Sequence, residues 1–123
     1  MGDDKINIKA GGDVAFAKDQ AIATINKTIT EAAGISETLE SKLKELSVAV
    51  EKMVQNMPED KAKETTKDLE TLAGEAVKKE PRRKWYELSG EGLIEAAKAV
   101  GEAGKPVIEI TQAVLNLLGG ATL

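Results

Sequence analysis

The chain has 123 residues, 41% hydrophobic and 31% charged, with one Trp, one Tyr, one Phe and a formal net charge of -4. Its length suits one domain with a modest core, and so few aromatic residues favour Leu, Ile, Val and Ala packed between helices over a β-sandwich. Cys and His are absent, which excludes disulfides, thiolate or imidazole metal sites, and Cys/His or Ser-His-Asp catalysis, while the acidic balance argues against nucleic acid as a partner.

At the N-terminus, Gly2, Asp3 and Asp4 follow Met1 with no apolar h-region after them, so no secretory signal is expected. No window reaches the roughly 18 uninterrupted apolar residues of a membrane span. A cytoplasmic location is the expectation. Residues 5–17 alternate in polarity, with Ile6, Ile8 and Ala10 before Gly11-Gly12 and Val14 and Phe16 after it. This pattern predicts a β-hairpin. A two-residue turn at Gly11-Gly12 would place Val14 and Phe16 on the face opposite Ile6 and Ile8. A three-residue loop, Gly11 to Asp13, unites the four apolar side chains on one face and is preferred. A hairpin this short is marginal alone and must pair with the helices or with other copies. Residues 1–18 are therefore read as an association segment, and 19–123 as the helical domain.

Asp19 is a plausible N-cap, with a helix from about Gln20. From there to Met57 one heptad register holds. Ile22, Ile29, Ser36, Leu43, Val50 and Met57 fall on one position, and Ile25, Ala32, Leu39, Leu46 and Met53 on the other. This is coiled-coil spacing. Gly34 could end a first helix with Ser36 capping a second, but the unbroken phase favours one long helix bent near Gly34. Ser36 would then be a polar seam residue fixing register.

Pro58 closes this helix and suits the first turn of the next, where Glu59 and Asp60 complement the helix dipole. The second helix is predicted over about Glu59 to Lys79, with a thin stripe of Ala62, Leu69, Leu72, Ala73, Ala76 and Val77, and Thr65 and Thr66 between. A third helix runs from about Pro81 to Glu102. Its apolar face passes through Leu93, Ile94, Ala97, Val100 and Gly101, and the small pair Ala97 and Gly101 invites a close crossing. Gly104 and Pro106 stop that helix and start the last, Pro106 to Leu118, whose stripe is Val107, Ile110, Val114 and Leu117.

Two readings of the Ile22–Met57 seam compete: an intramolecular core, or a self-associating face. The second helix offers mostly Ala and Thr in return, so self-association is preferred. Ile22, Ile25 and Ile29, directly after the hairpin, are expected between subunits, and Leu39 to Met57 on the chain's own helices. Isoleucine at both core positions leans toward three or four strands. Arg82, Arg83 and Lys84 beside Trp85 and Tyr86 form the one basic cluster with aromatics. It could meet an acidic partner, a phosphate or headgroups. The more ordinary reading is a solvated helix start whose Trp fills the core. Residues 92–118 are apolar enough to suggest a membrane-active hairpin, yet Glu95, Lys98, Glu102, Lys105 and Glu109 interrupt them at helical intervals. Asp3-Asp4 and Glu59-Asp60 read as surface charge, and neither Gly-Gly pair matches a phosphate-cradling loop. No catalytic residue, cofactor or metal is expected.

Two segments, Ile6-Asn7-Ile8-Lys9-Ala10-Gly11-Gly12-Asp13-Val14-Ala15-Phe16-Ala17 and the stretch from Lys84-Trp85-Tyr86-Glu87-Leu88 to Glu109, resemble the two ends of a group of small bacterial proteins. These share a glycine-glycine-aspartate-valine-x-phenylalanine start and a helical C-terminal region, and accompany signalling and conflict systems. The resemblance implies a self-associating adaptor context and carries over no functional residue.

The sequence thus predicts a mainly α fold. About four helices form a bundle, one of them long and coiled-coil-like, preceded by an N-terminal β-hairpin. The expected function is non-enzymatic self-association, as an oligomerisation or adaptor module. Homo-oligomerisation would use Ile6, Ile8, Val14, Phe16, Ile22, Ile25 and Ile29, and a protein partner could contact Arg82, Arg83, Lys84 and Trp85. The alternative is a membrane-active effector using 92–118.

Overall fold

A computed structural model describes residues 18–119, which form five α-helices and one 3-10 turn. The helices are α1 (Lys18–Glu31), α2 (Glu37–Val54), α3 (Glu59–Ala76), α4 (Arg83–Val100) and α5 (Lys105–Leu118), with the 3-10 turn (Gly101–Gly104) joining the last two. The hairpin predicted for residues 5–17 lies outside the described residues.

The single long helix is replaced by two. α1 stops at Glu31, Gly34 takes a left-handed φ of 88°, and Ser36 restarts the chain as the N-cap of α2. The Ser36 hydroxyl accepts a hydrogen bond from the Leu39 N–H at 3.1 Å, and its own backbone is extended. Ser36 is therefore an exposed cap and not a seam residue. The reason is local: Gly reaches positive φ without a Cβ clash, and Ser satisfies an orphan amide of the next helix. An unbroken heptad phase does not require an unbroken helix. After the turn, α1 folds against α2 and α3 and contributes its stripe to the same core.

α2, α3, α4 and α5 each pack on the next, and α5 returns to α2, closing a four-helix ring over which α1 lies on the α2 and α3 side. α3 and α4 run antiparallel, with Glu75 beside Arg82 at one end and Asp68 beside Gly92 further along. α4 and α5 are also antiparallel. The Tyr86 hydroxyl donates to the Leu118 carbonyl at 3.2 Å, Leu115 fills the space a Cβ on Gly90 would need, and Gly104 lies against the Ala97 backbone.

One core unites all five helices. It includes Ile22, Ile25 and Ile29 of α1, Leu43, Leu46 and Val50 of α2, Leu69 and Leu72 of α3, Leu93 of α4, and Val107 and Val114 of α5. Ile22, Ile25 and Ile29 are at most 3% exposed. In this fold they pack inside the chain's own bundle, contrary to the expectation that they lie between subunits. The break at Gly34 explains this: a helix that folds back delivers its isoleucines to α2 and α3 rather than extending them toward another copy. The thin Ala and Thr stripe of α3 is buried as expected, because small residues let α1 approach closely.

Two expectations for the C-terminal helices also shift. α4 ends at Val100, and Gly101, at φ 76°, leaves the helix, so the close approach is made by Ala97 against Gly104 without Gly101 beside it on the helix face. In α5 the buried face is Val107, Thr111 and Val114, while Leu117 stays 39% exposed.

Candidate functional site

The exposed surface of α4 gathers the features that the core does not use. Trp85, Leu88, Gly92, Glu95 and Ala99 recur at intervals of three and four and so share one stripe of the helix. All are exposed except the half-buried Gly92. Trp85 is 41% and Leu88 56% exposed, two of the four large hydrophobic side chains so placed among the described residues. Trp85 thus does not plug the core. Tyr86, its neighbour, does, at 4% exposure.

The basic run surrounds Trp85. The Arg82 guanidinium and the Lys84 ammonium each stand 5.8 Å from the centre of its ring, at cation–π distance. Arg82 is anchored from below by Glu75, a buried carboxylate near the end of α3 that accepts from the Arg82 backbone N–H at 3.0 Å and from its Nε at 3.2 Å. Lys78 Nζ reaches the same carboxylate at 2.7 Å. The Arg82 guanidinium, foremost, and these other donors outweigh the cost of burial and hold the Glu75 carboxyl well down, at about 2. Arg83 pairs with Glu87 at 2.7 Å along the exposed helix surface. Lys84, by contrast, has only the Trp85 ring as a partner among the described residues.

Further along the same flank of α4, a cavity of about 610 Å3 opens between the start of α3 and the second half of α4. Its walls mix apolar surface from Met57, Ala96 and Ala99 with the carboxylates of Glu64, Asp68 and Glu95. Gly92 makes room for one of these: a Cβ there would collide with the Asp68 carboxylate. Burial, and then the neighbouring Glu64 charge, raise the Asp68 carboxyl above its ordinary value. Among the described residues Glu95 has a cation only at 3.9 Å, on Lys98. With Lys61 as the one cation in its lining against three carboxylates, the cavity is acidic on balance. A second, shallower groove of about 540 Å3 joins α2 and α5 around Val48, Pro106 and Ile110.

Of the residues singled out in the sequence, Arg82, Arg83, Lys84 and Trp85 come together on one surface, whereas Ile22, Ile25 and Ile29 lie in the core and Ile6, Ile8, Val14 and Phe16 lie outside the described residues. Sequence reasoning missed Leu88 and the cavity. Leu88 is legible in retrospect, three residues after Trp85 and off the apolar face of Leu93 and Ala97. The cavity has no linear signal, because Glu64 and Asp68 reach it from another helix. Among the described residues no group of three or more acidic side chains could hold a metal ion, and no helix is long and apolar enough to cross a membrane. Compared with known proteins, the chain matches no family model, no curated protein and no solved structure.

Proposed function

We propose that this chain is a non-enzymatic self-association module, a helical bundle that serves as an oligomerisation or adaptor unit. The observation that supports this most is the exposed pair Trp85 and Leu88, with Arg82 and Lys84 at the Trp85 ring, on a bundle whose described helices already share one core. Tyr86 and Leu93 satisfy the interior, so Trp85 is not needed there. Trp and Arg are the side chains that most often carry binding energy at protein interfaces, since each adds a large contact area with few rotamers or a planar set of donors. The basic patch on an acidic chain also suits an acidic protein surface, including that of another copy.

Residues 5–17 are the second proposed contributor, through pairing of strands carrying Ile6, Ile8, Val14 and Phe16. Light scattering on the intact chain and on a chain lacking residues 1–17 separates the two contributions. Assembly of the intact chain at micromolar concentration supports the reading, and a strictly monomeric chain sinks it. A membrane-active role for residues 92–118 has less in its favour, because Leu93, Ala97, Val107 and Val114 would have to leave the core they fill. Dye leakage from lipid vesicles on addition of the protein would reverse that ranking.

A further inference from the structure

Resting on the self-association reading, we infer that two copies dimerise through antiparallel α4 helices, the Trp85 side chain of each entering the acid-lined α3–α4 cavity of the other. The feature that carries this is the placement of knob and cavity on one flank of one helix. Trp85 belongs to the same three-four stripe as Glu95 and Ala99, which border the cavity. Trp85 and Glu95 lie about 15 Å apart along α4, at 1.5 Å per residue. A surface with a knob at one end and a hole at the other is self-complementary under a two-fold axis between them. Such an axis level with Gly90 sets Trp85 of one copy opposite Glu95 of the other, and makes both contacts at once. A closed two-fold dimer of this kind is the commonest arrangement of identical subunits.

Charge supports the same pairing. The knob end carries Arg82 and Arg83, paired with Glu75 and Glu87, and Lys84, unpaired among the described residues, while the cavity end carries Glu64, Asp68 and Glu95 against Lys61. A parallel arrangement would set cations on cations and carboxylates on carboxylates. In the antiparallel one, Lys84, which has no carboxylate partner among the described residues, arrives beside Glu95. The Asp68 carboxyl, crowded by Glu64, gains a cation nearby. Size also fits. A cavity of about 610 Å3 has room for an indole, and its apolar walls at Met57, Ala96 and Ala99 match the ring while its carboxylates meet the flanking cations.

Two variants separate the halves of the contact. Lys84→Glu with Trp85→Ala removes the knob and keeps the cavity. Glu64→Lys with Glu95→Lys spoils the cavity and keeps the knob. All four side chains are exposed, so both proteins should fold, and circular dichroism checks that they do. Sedimentation of the wild-type chain should reach a plateau at twice the 13.1 kDa chain mass. Each variant alone should dissociate more than about tenfold more readily, the loss of a buried aromatic anchor. Mixed, they should form a one-to-one heterodimer tighter than either homodimer, since one of the two contacts is restored. Spin labels on cysteines replacing Glu91 or Lys98 should report copies offset along the axis by about 3 Å and about 24 Å respectively.

If both variants assemble like wild type, or the mixture gains nothing, the α4 contact is wrong and self-association runs through another surface. Mass that grows without a plateau overturns the closed two-fold arrangement. A wild-type chain that stays monomeric overturns the self-association reading itself.

Discussion

The carboxylate of Glu75 and the backbone and guanidinium of Arg82 tie the end of α3 to the start of α4 across the intervening turn. Glu75 stands where the periodicity of α3 would call for an apolar side chain, between Leu72 and Ala76, and is 4% exposed. A buried carboxylate is tolerated there because Arg82 and Lys78 supply its donors. Arg82 has no side-chain cap of its own at this helix start, so the Glu75 carboxylate serves the α4 N-terminus in place of one.

This pair gives stability a defined pH dependence. The Glu75 carboxyl is lowered from 4.5 to about 2 in the folded chain. Its stabilisation is complete above the unfolded value and is lost as pH falls from about 4.5 to about 2, where the folded carboxylate takes up its proton. Thermal unfolding followed over that range should show a falling midpoint. Glu75→Gln should lower stability at neutral pH by about 2 kcal/mol and flatten that part of the curve.

Ile25→Ala tests whether the α1 isoleucines belong to the chain's own core. At 3% exposure against α2 and α3, the truncation should cost about 2–5 kcal/mol. The loss should be the same at low and high protein concentration in denaturant titrations. A cost that vanishes on dilution would place Ile25 between subunits.

The two turn glycines should respond differently to a methyl group. At Gly104 the added Cβ meets the Ala97 backbone, which cannot swing aside, so Gly104→Ala should cost about 1–3 kcal/mol through separation of α4 from α5. At Gly34 there is open space but a φ of 88°, so Gly34→Ala should cost about 1 kcal/mol and Gly34→Asn less. Calorimetry on the three variants distinguishes crowding from backbone strain.

Thr111 is fully buried on the core face of α5, and its hydroxyl has no hydrogen-bond partner among the described residues. Replacing that hydroxyl by a methyl of nearly the same shape removes a desolvated polar group. Thr111→Val should therefore raise stability by about 1 kcal/mol, read from the midpoint of chemical unfolding.

What the sequence determined by itself is the set of helices and most of their buried faces. Heptad and 3.6-residue spacing placed Leu39, Leu43, Leu46, Val50, Leu69, Leu72, Leu93, Val107 and Val114 inward, and Pro58 and the Gly104–Pro106 pair marked real junctions, because these signals depend only on neighbours in the chain. The tertiary structure decided everything that depends on which helix comes to lie beside which. It turned the isoleucines of α1 inward at Gly34, a choice that periodicity cannot register since the phase survives the break. It placed Tyr86 rather than Trp85 in the core, where the Tyr86 hydroxyl reaches the Leu118 carbonyl of α5. It also brought Glu64 and Asp68 of α3 to the flank of α4, making an acidic cavity from residues some thirty positions apart, on the same side of the helix as the exposed tryptophan.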